Sequence, residues 1–190
     1  MRSPTAVLRD EHRLILSALD LLETAAARTA GEGAVPAGWW AHAVDWLRAF
    51  ADRNHHAKEE DALFPAMIRA GVPSGGGPVD VMLQEHELGR ALVATLAADP
   101  GRRAEAARAY VRLLRDHIDK ENGVLFPLAE AVLDEQAVAD VGRAFEQVGA
   151  EQGATASIAA AEQALADLAR ALGEGVTERA DLPETAAKTP

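Results

Sequence analysis

The chain has no cysteine, which excludes disulfides, thiolate-held metals and iron–sulfur clusters. Aromatic residues make up 4% of it and β-branched residues are sparse, while alanine is abundant, so the composition favours an all-helical fold over a sheet. Positive charge is also scarce. With 19 Lys and Arg against 30 Asp and Glu, the net charge of -11 argues against nucleic acid or an anionic membrane surface as partner. No apolar run is long enough to span a bilayer, and the opening MRSPTAVLRDEH lacks the apolar core of a signal peptide. These absences lead us to expect a soluble cytoplasmic protein. At 190 residues, one domain with a core large enough to need no staples is expected.

What the chain does contain is a motif written twice. His55-His56-Ala57-Lys58-Glu59-Glu60-Asp61-Ala62-Leu63-Phe64-Pro65 returns as His117-Ile118-Asp119-Lys120-Glu121-Asn122-Gly123-Val124-Leu125-Phe126-Pro127. Aligned without gaps, the copies share His, Lys, Glu and the Leu-Phe-Pro ending. An imidazole and a carboxylate four residues apart lie on one helix face, where they can serve one metal ion. Each copy is preceded by a helix carrying Leu-x-x-Glu-His: Glu11-His12 before the first, Glu85-His86 before the second. The order His, His-x-x-x-Glu, His, His-x-x-x-Glu on four helices reads as a duplicated helical hairpin with approximate two-fold symmetry.

The periodicity and the breakers predict the helices. The first covers about 4–29, with Ser3 as N-cap and Pro4 in the first turn. The second starts near Pro36, passes through the first motif and ends by Gly71, strained or kinked at Pro65. GVPSGGGP, 71–78, separates the halves. A third helix over about 79–98 and a fourth over about 102–132 follow, then a fifth from near Asp134 and a sixth over roughly 155–172. The expected organisation is an up-down four-helix bundle over 1–150 (core 5–132), a C-terminal helix packed on it over 151–173, and a flexible tail over 174–190.

The tandem histidines leave two registers open, since His56-x-x-x-Glu60 has the same spacing as His55-x-x-x-Glu59. At about 100° per residue, Glu59 lies about 40° from His55, whereas His56 is about 100° and Glu60 about 140° away. Repeat alignment agrees, pairing His55 with His117 and Glu59 with Glu121. His12, His55, Glu59, His86, His117 and Glu121 are therefore the expected metal ligands. Around them fall Leu8, Leu16 and Leu19 on the first helix, Met82 and Val93 on the third, and Tyr110, Leu113, Val124 and Leu128 on the fourth. Two ionised carboxylates in so apolar a bundle would each cost several kcal/mol unpaired, and two metal ions are the natural counter-charge.

The flanking residues receive lesser roles. His56, Glu60, Arg90 and Tyr110 are assigned to the surroundings of the metal site, with His56 also a fifth-imidazole candidate. By helical angle Glu11, Glu60, Asp61 and Glu85 read as solvated charges, Lys58 and Lys120 as surface residues, and His42 as lying off the apolar face. Arg90, four residues after His86 on the inward side, needs a partner: a bound anion, Glu59 or Glu121.

Taken together, Glu11-His12, His55 to Glu60 with Leu63-Phe64-Pro65, Glu85-His86, and His117 to Glu121 with Leu125-Phe126-Pro127 resemble the hemerythrin-like (HHE cation-binding) proteins. The resemblance implies a non-haem, oxo- or hydroxo-bridged pair of iron ions, with the four histidines as terminal ligands and Glu59 and Glu121 as bridges; manganese or zinc suits the same donors. This chain departs from the oxygen carriers of that family, which have a second histidine where Arg90 stands and a His-x-x-x-x-Asp in place of His117-x-x-x-Glu121. The centre thus has one fewer imidazole unless His56 or solvent completes it. The implied function is binding of, or reaction with, dioxygen, hydrogen peroxide or nitric oxide. The alternatives are an oxidative enzyme (peroxidase, catalase or monooxygenase) with Tyr110, Trp40 and Arg90 lining its channel, or an iron- or oxygen-sensing module using its C-terminal helices as interaction surface. No catalytic residue is singled out, and a monomer or weak homo-oligomer is expected.

Overall fold

The computed structural model describes residues 2–31, 33–152 and 157–173; the expected tail over 174–190 lies outside the described residues. Among them there are helices and no strand. Helix α1 is Pro4–Ala30. Helix α2 runs unbroken over 39–69, through the segments Trp39–Trp46, Leu47–His56, Glu59–Leu63 and Phe64–Arg69. Helix α3 is Pro78–Ala98, and α4 runs over 103–132. Two more follow, α5 (Glu135–Gln152) and α6 (Ile158–Leu172). No helix among the described residues is long and apolar enough to cross a membrane.

Local chemistry sets the ends. The Ser3 hydroxyl accepts from the Ala6 N–H at 3.2 Å and Pro4 opens α1, as the sequence predicts. Helix α2 begins at Trp39 rather than near Pro36, because Gly38 adopts a left-handed conformation (φ 79°) just before it. Asp134 and Ser157 cap α5 and α6 through the N–H groups of Ala137 and Ala160.

The core is split by a polar layer into two apolar clusters, and their membership gives the topology. Helix α1 passes from Leu8 in one cluster to Ile15 and Leu19 in the other. Helix α2 returns from Val44 and Leu47 to Leu63 and Met67, α3 goes out from Met82 to Val93 and Leu96, and α4 comes back from Ala107 and Leu114 to Leu125 and Phe126. The four helices therefore alternate up and down. Helix α6 covers α1 and α2, taking the buried indole N–H groups of Trp39 and Trp46 on the carbonyls of Leu168 and Ala161, both at 3.0 Å. Helix α5 closes the opposite cluster with Val141 and Phe145.

Both motif helices widen at the same point. The Phe64 N–H donates to the Glu59 carbonyl and the Phe126 N–H to the Glu121 carbonyl, five residues back instead of four. Pro65 and Pro127 follow at once. A proline inside an α-helix lacks a donor and collides with the carbonyl four residues earlier; a wider turn relieves the collision without ending the helix. The extra residue per turn also shifts the inward face. Val124, expected inside, is 58% exposed, while Leu125 and Phe126 are buried. Helix α2 carries a second wide stretch, Leu47–His56, that has no counterpart before His117 in α4.

Candidate metal centre

The polar layer consists of His12 from α1, His55, His56 and Glu59 from α2, His86 from α3, and His117 and Glu121 from α4. All seven are buried. Their donor atoms form two groups, each drawn together within 4.8 Å: His12, His55, Glu59 and Glu121 in one, His56, Glu59, His86 and His117 in the other. The six residues expected as ligands thus converge, and His56 joins them.

The carboxylates lie between the two histidine pairs. Glu59 places Oε1 3.7 Å from His55 Nε2 and Oε2 3.5 Å from His86 Nε2. Glu121 places Oε1 3.2 Å from His117 Nε2 and Oε2 3.1 Å from His12 Nε2. Within each pair the Nε2 atoms face one another, His12 to His55 at 3.1 Å and His86 to His117 at 3.2 Å. Each glutamate therefore spans from the histidine of its own motif to the single histidine of the other half.

The outer ring nitrogens are held so that the Nε2 atoms can present lone pairs to a metal ion. His55 Nδ1 donates to Glu11 (2.9 Å), His117 Nδ1 to Glu85 (2.9 Å), His86 Nδ1 to Glu60 (2.6 Å) and His12 Nδ1 to Asn122 (3.1 Å). With one proton held outside, the ring in its neutral form turns its acceptor inward. This corrects the reading of Glu11, Glu60 and Glu85 as solvated charges: they orient the histidines, and Glu11 is 1% exposed. Lys58 is likewise buried and pairs with Glu11, as the more exposed Lys120 pairs with Glu85. Helical angles missed this, although the matched Glu-His and His-x-x-Lys pairs of the two halves carried the signal. Asp61 and His42 are exposed, as expected. Phe126 stacks on His12 and Phe64 on His86, so each Leu-Phe-Pro ending also serves the histidine of the other half.

Burial and the charge of Glu121 push the Glu59 carboxyl well above its ordinary range. Burial raises Glu121 too, yet His117 and His12 outweigh it and hold that carboxyl low. Burial likewise opposes charge on His117, but the Glu121 and Glu85 carboxylates raise it to about 9. Burial brings His55 down to about 4 and His56 well below its usual value, the latter aided by the neighbouring His86 ring. Glu11 stays low despite burial because His55 and Lys58 stabilise its charge.

Six buried polar atoms of the layer have no hydrogen-bond partner: both oxygens of Glu59, both of Glu121 and both ring nitrogens of His56. Leaving such groups unpaired is costly, and carboxylate and imidazole donors suit a divalent or trivalent cation. The donor set fits two adjacent ions.

The surroundings differ from expectation in two respects. Arg90 does not reach Glu59 or Glu121; it bonds Asp52 (2.9 Å), Glu60 (2.6 Å) and Glu87 (2.8 Å) at the edge of the layer. Tyr110 and Arg90 border a common cavity with His56, whereas Trp40 packs in the core against Trp39.

The family model for the hemerythrin HHE cation-binding domain matches residues 3–129. An uncharacterized protein of Mycobacterium tuberculosis is 25% identical over 182 residues, covering 90% of this chain and 70% of that protein. A protein of Mycobacterium bovis matches to the same extent. A phosphoribosylamino-methylideneamino imidazole-carboxamide isomerase of Cereibacter sphaeroides is 32% identical over 117 residues, 58% of this chain and 48% of the isomerase. No solved structure matches the chain at a comparable level of significance.

Proposed function

The chain belongs to the hemerythrin HHE cation-binding family, and on that premise we propose that it holds two iron ions in the His/Glu layer and there binds or reacts with dioxygen, hydrogen peroxide or nitric oxide. Metal binding rests on the family and on the two interlocked donor groups. The finer reading rests on one observation: Glu59 and Glu121 each span the two histidine pairs, and their oxygens have no protein hydrogen-bond partner. In this reading His12 and His55 would hold one ion and His86 and His117 the other, with Glu59 and Glu121 offering an oxygen to each. His56 borders that second ion on the His86/His117 side, at the place in the donor set left open by the histidine that Arg90 replaces.

Bound there, two adjacent irons supply two one-electron equivalents and Lewis acidity to a small ligand. The chain's own residues do the rest. Glu11, Glu60, Glu85 and Asn122 keep the outer ring protons in place, so the imidazoles stay neutral donors of fixed orientation. Phe64, Phe126, Leu8 and Leu63 exclude water from the layer.

Metal analysis of protein made in iron-replete medium should find two irons per chain. Mixing the reduced protein with dioxygen or nitric oxide in a stopped-flow spectrometer should give a visible absorption change. A single ion per chain, or no spectral response to either gas, refutes the proposal.

A further inference from the structure

A cavity of about 250 Å³ opens between α2, α3 and α4, and the ring of His56 lines it together with Arg48, Asp52, Gly89, Arg90 and Tyr110. We propose that this cavity is the port through which a small uncharged ligand reaches the metal layer, with His56 as its displaceable wall. The inference rests on the proposed function and specifies how the ligand of that site arrives.

His56 differs from the other four buried histidines. Each of those has Nδ1 held by a hydrogen bond, to Asn122, Glu11, Glu60 or Glu85. Neither nitrogen of His56 has a hydrogen-bond partner. Its closest carboxylate oxygen, Asp52 Oδ1, stands 3.6 Å from Nδ1, beyond hydrogen-bond reach. The ring stacks on His86 with centroids 3.8 Å apart, a contact that involves no hydrogen bond. The one buried imidazole without a hydrogen bond is also the one at the cavity wall.

Gly89 points the same way. It is buried inside helix α3, where glycine weakens a helix relative to alanine. A Cβ there would stand 3.5 Å from Tyr110 Cε2 and 3.7 Å from Leu114 Cδ2, ordinary contact distances. Close packing therefore does not demand glycine. The missing side chain leaves space beside Tyr110, and longer side chains would fill it.

Charge defines the class of ligand. Arg48, Arg90 and Asp52 line the cavity, and Arg90 bonds both Asp52 and the neighbouring Glu60. Glu87, which also meets Arg90, lies outward and exposed. Neither sign dominates the mouth. Tyr110 stays neutral, since burial and then the nearby Asp52 raise its pKa. Such a passage favours molecules without net charge and of few heavy atoms, such as nitric oxide or hydrogen peroxide, over an anion or a metal cation.

The test is nitric oxide binding to the reduced, iron-loaded protein, with Gly89→Ala and Gly89→Leu as graded plugs and Val93→Phe as an independent plug from the same helix. A port governs both rates and leaves the equilibrium alone. Gly89→Leu should slow association and dissociation together by about tenfold or more, with Kd and iron content as in the wild type and Gly89→Ala in between. Unchanged rates in both Gly89→Leu and Val93→Phe, or a changed Kd with an unchanged association rate, overturn the port. A metal-independent reading comes from crystals of the zinc-loaded protein under xenon pressure. Xenon should occupy the cavity in the wild type and be absent in Gly89→Leu; a wild-type cavity without xenon also overturns the proposal. A wild-type protein that takes up no nitric oxide refutes the diiron reading instead, which separates the two failures.

Discussion

Glu60 and Asn122 stand at equivalent positions of the two repeats, and each bonds the outer nitrogen of the single histidine from the opposite half, His86 and His12. The pseudo-symmetric centre is therefore unequal in charge: one of these histidines faces a carboxylate, the other an amide. A carboxylate partner makes a metal-bound imidazole a stronger donor. Asn122→Asp should tighten metal retention on the His12 side, measured by competition with a chelator. Unchanged retention would show that the outer partner of His12 has no influence.

The glutamates that span the histidine pairs should decide stoichiometry. Glu59→Ala or Glu121→Ala removes a donor that the proposed pair of ions would share, and metal analysis should find the paired occupancy lost. Two irons retained by either variant would refute the bridging assignment.

The Lys–Glu–His chains of the two halves should differ in energy. Glu11→Ala strands Lys58, which is 7% exposed, and should cost about 3–5 kcal/mol, as for other buried charges left without a partner. Glu85→Ala strands Lys120, whose side chain is 41% exposed and reaches water, so its cost should be clearly smaller. Urea denaturation of the metal-free variants gives the comparison, and equal losses would contradict it.

The shift of register at the wide turns has its own test. Leu125→Ala should destabilise by about 2–5 kcal/mol through loss of core packing. Val124→Ala, on the exposed side, should stay within about 0.5 kcal/mol. The reverse order would restore the uniform helical angle that the sequence suggests.

Metal loading should release protons. In the metal-free chain His117 is raised to about 9 by the Glu121 and Glu85 carboxylates against burial, so at pH 7 it carries a proton that a metal ion must displace. Release measured in weak buffer should be present at pH 7 and shrink as the pH rises through about 9, while acid should expel the metal. Chelation should lower the melting temperature, because an ion that binds only the folded state stabilises it by about 2.7 kcal/mol at a hundredfold excess over Kd.

Much of this could be read from residue order. The repeat fixed His55 with Glu59 and His117 with Glu121, because an i, i+4 pair shares a helix face whatever surrounds it. Alternating apolar and polar stretches, Ser3, the glycine-rich 71–78 segment and Asp99-Pro100 placed the helices to within a few residues. The shortage of aromatics and the abundance of alanine set the class of fold, and the absence of cysteine excluded thiolate and iron–sulfur sites.

Three things depended on the tertiary structure. The helices do not keep one pitch: they widen at Leu47–His56, Glu59–Leu63 and Glu121–Leu125, and His56 lies in the metal layer while Val124 lies outside. Glu11, Glu60 and Glu85 lie off the inner face of their own helices yet meet histidines on neighbouring ones, a contact that no single helix can reveal. Arg90 found Asp52 and Glu60 at the edge of the layer, leaving a cavity beside Tyr110 and Gly89. Spacing along one helix determines which donors share a face. How helices pack decides what stands behind those donors and where the site opens.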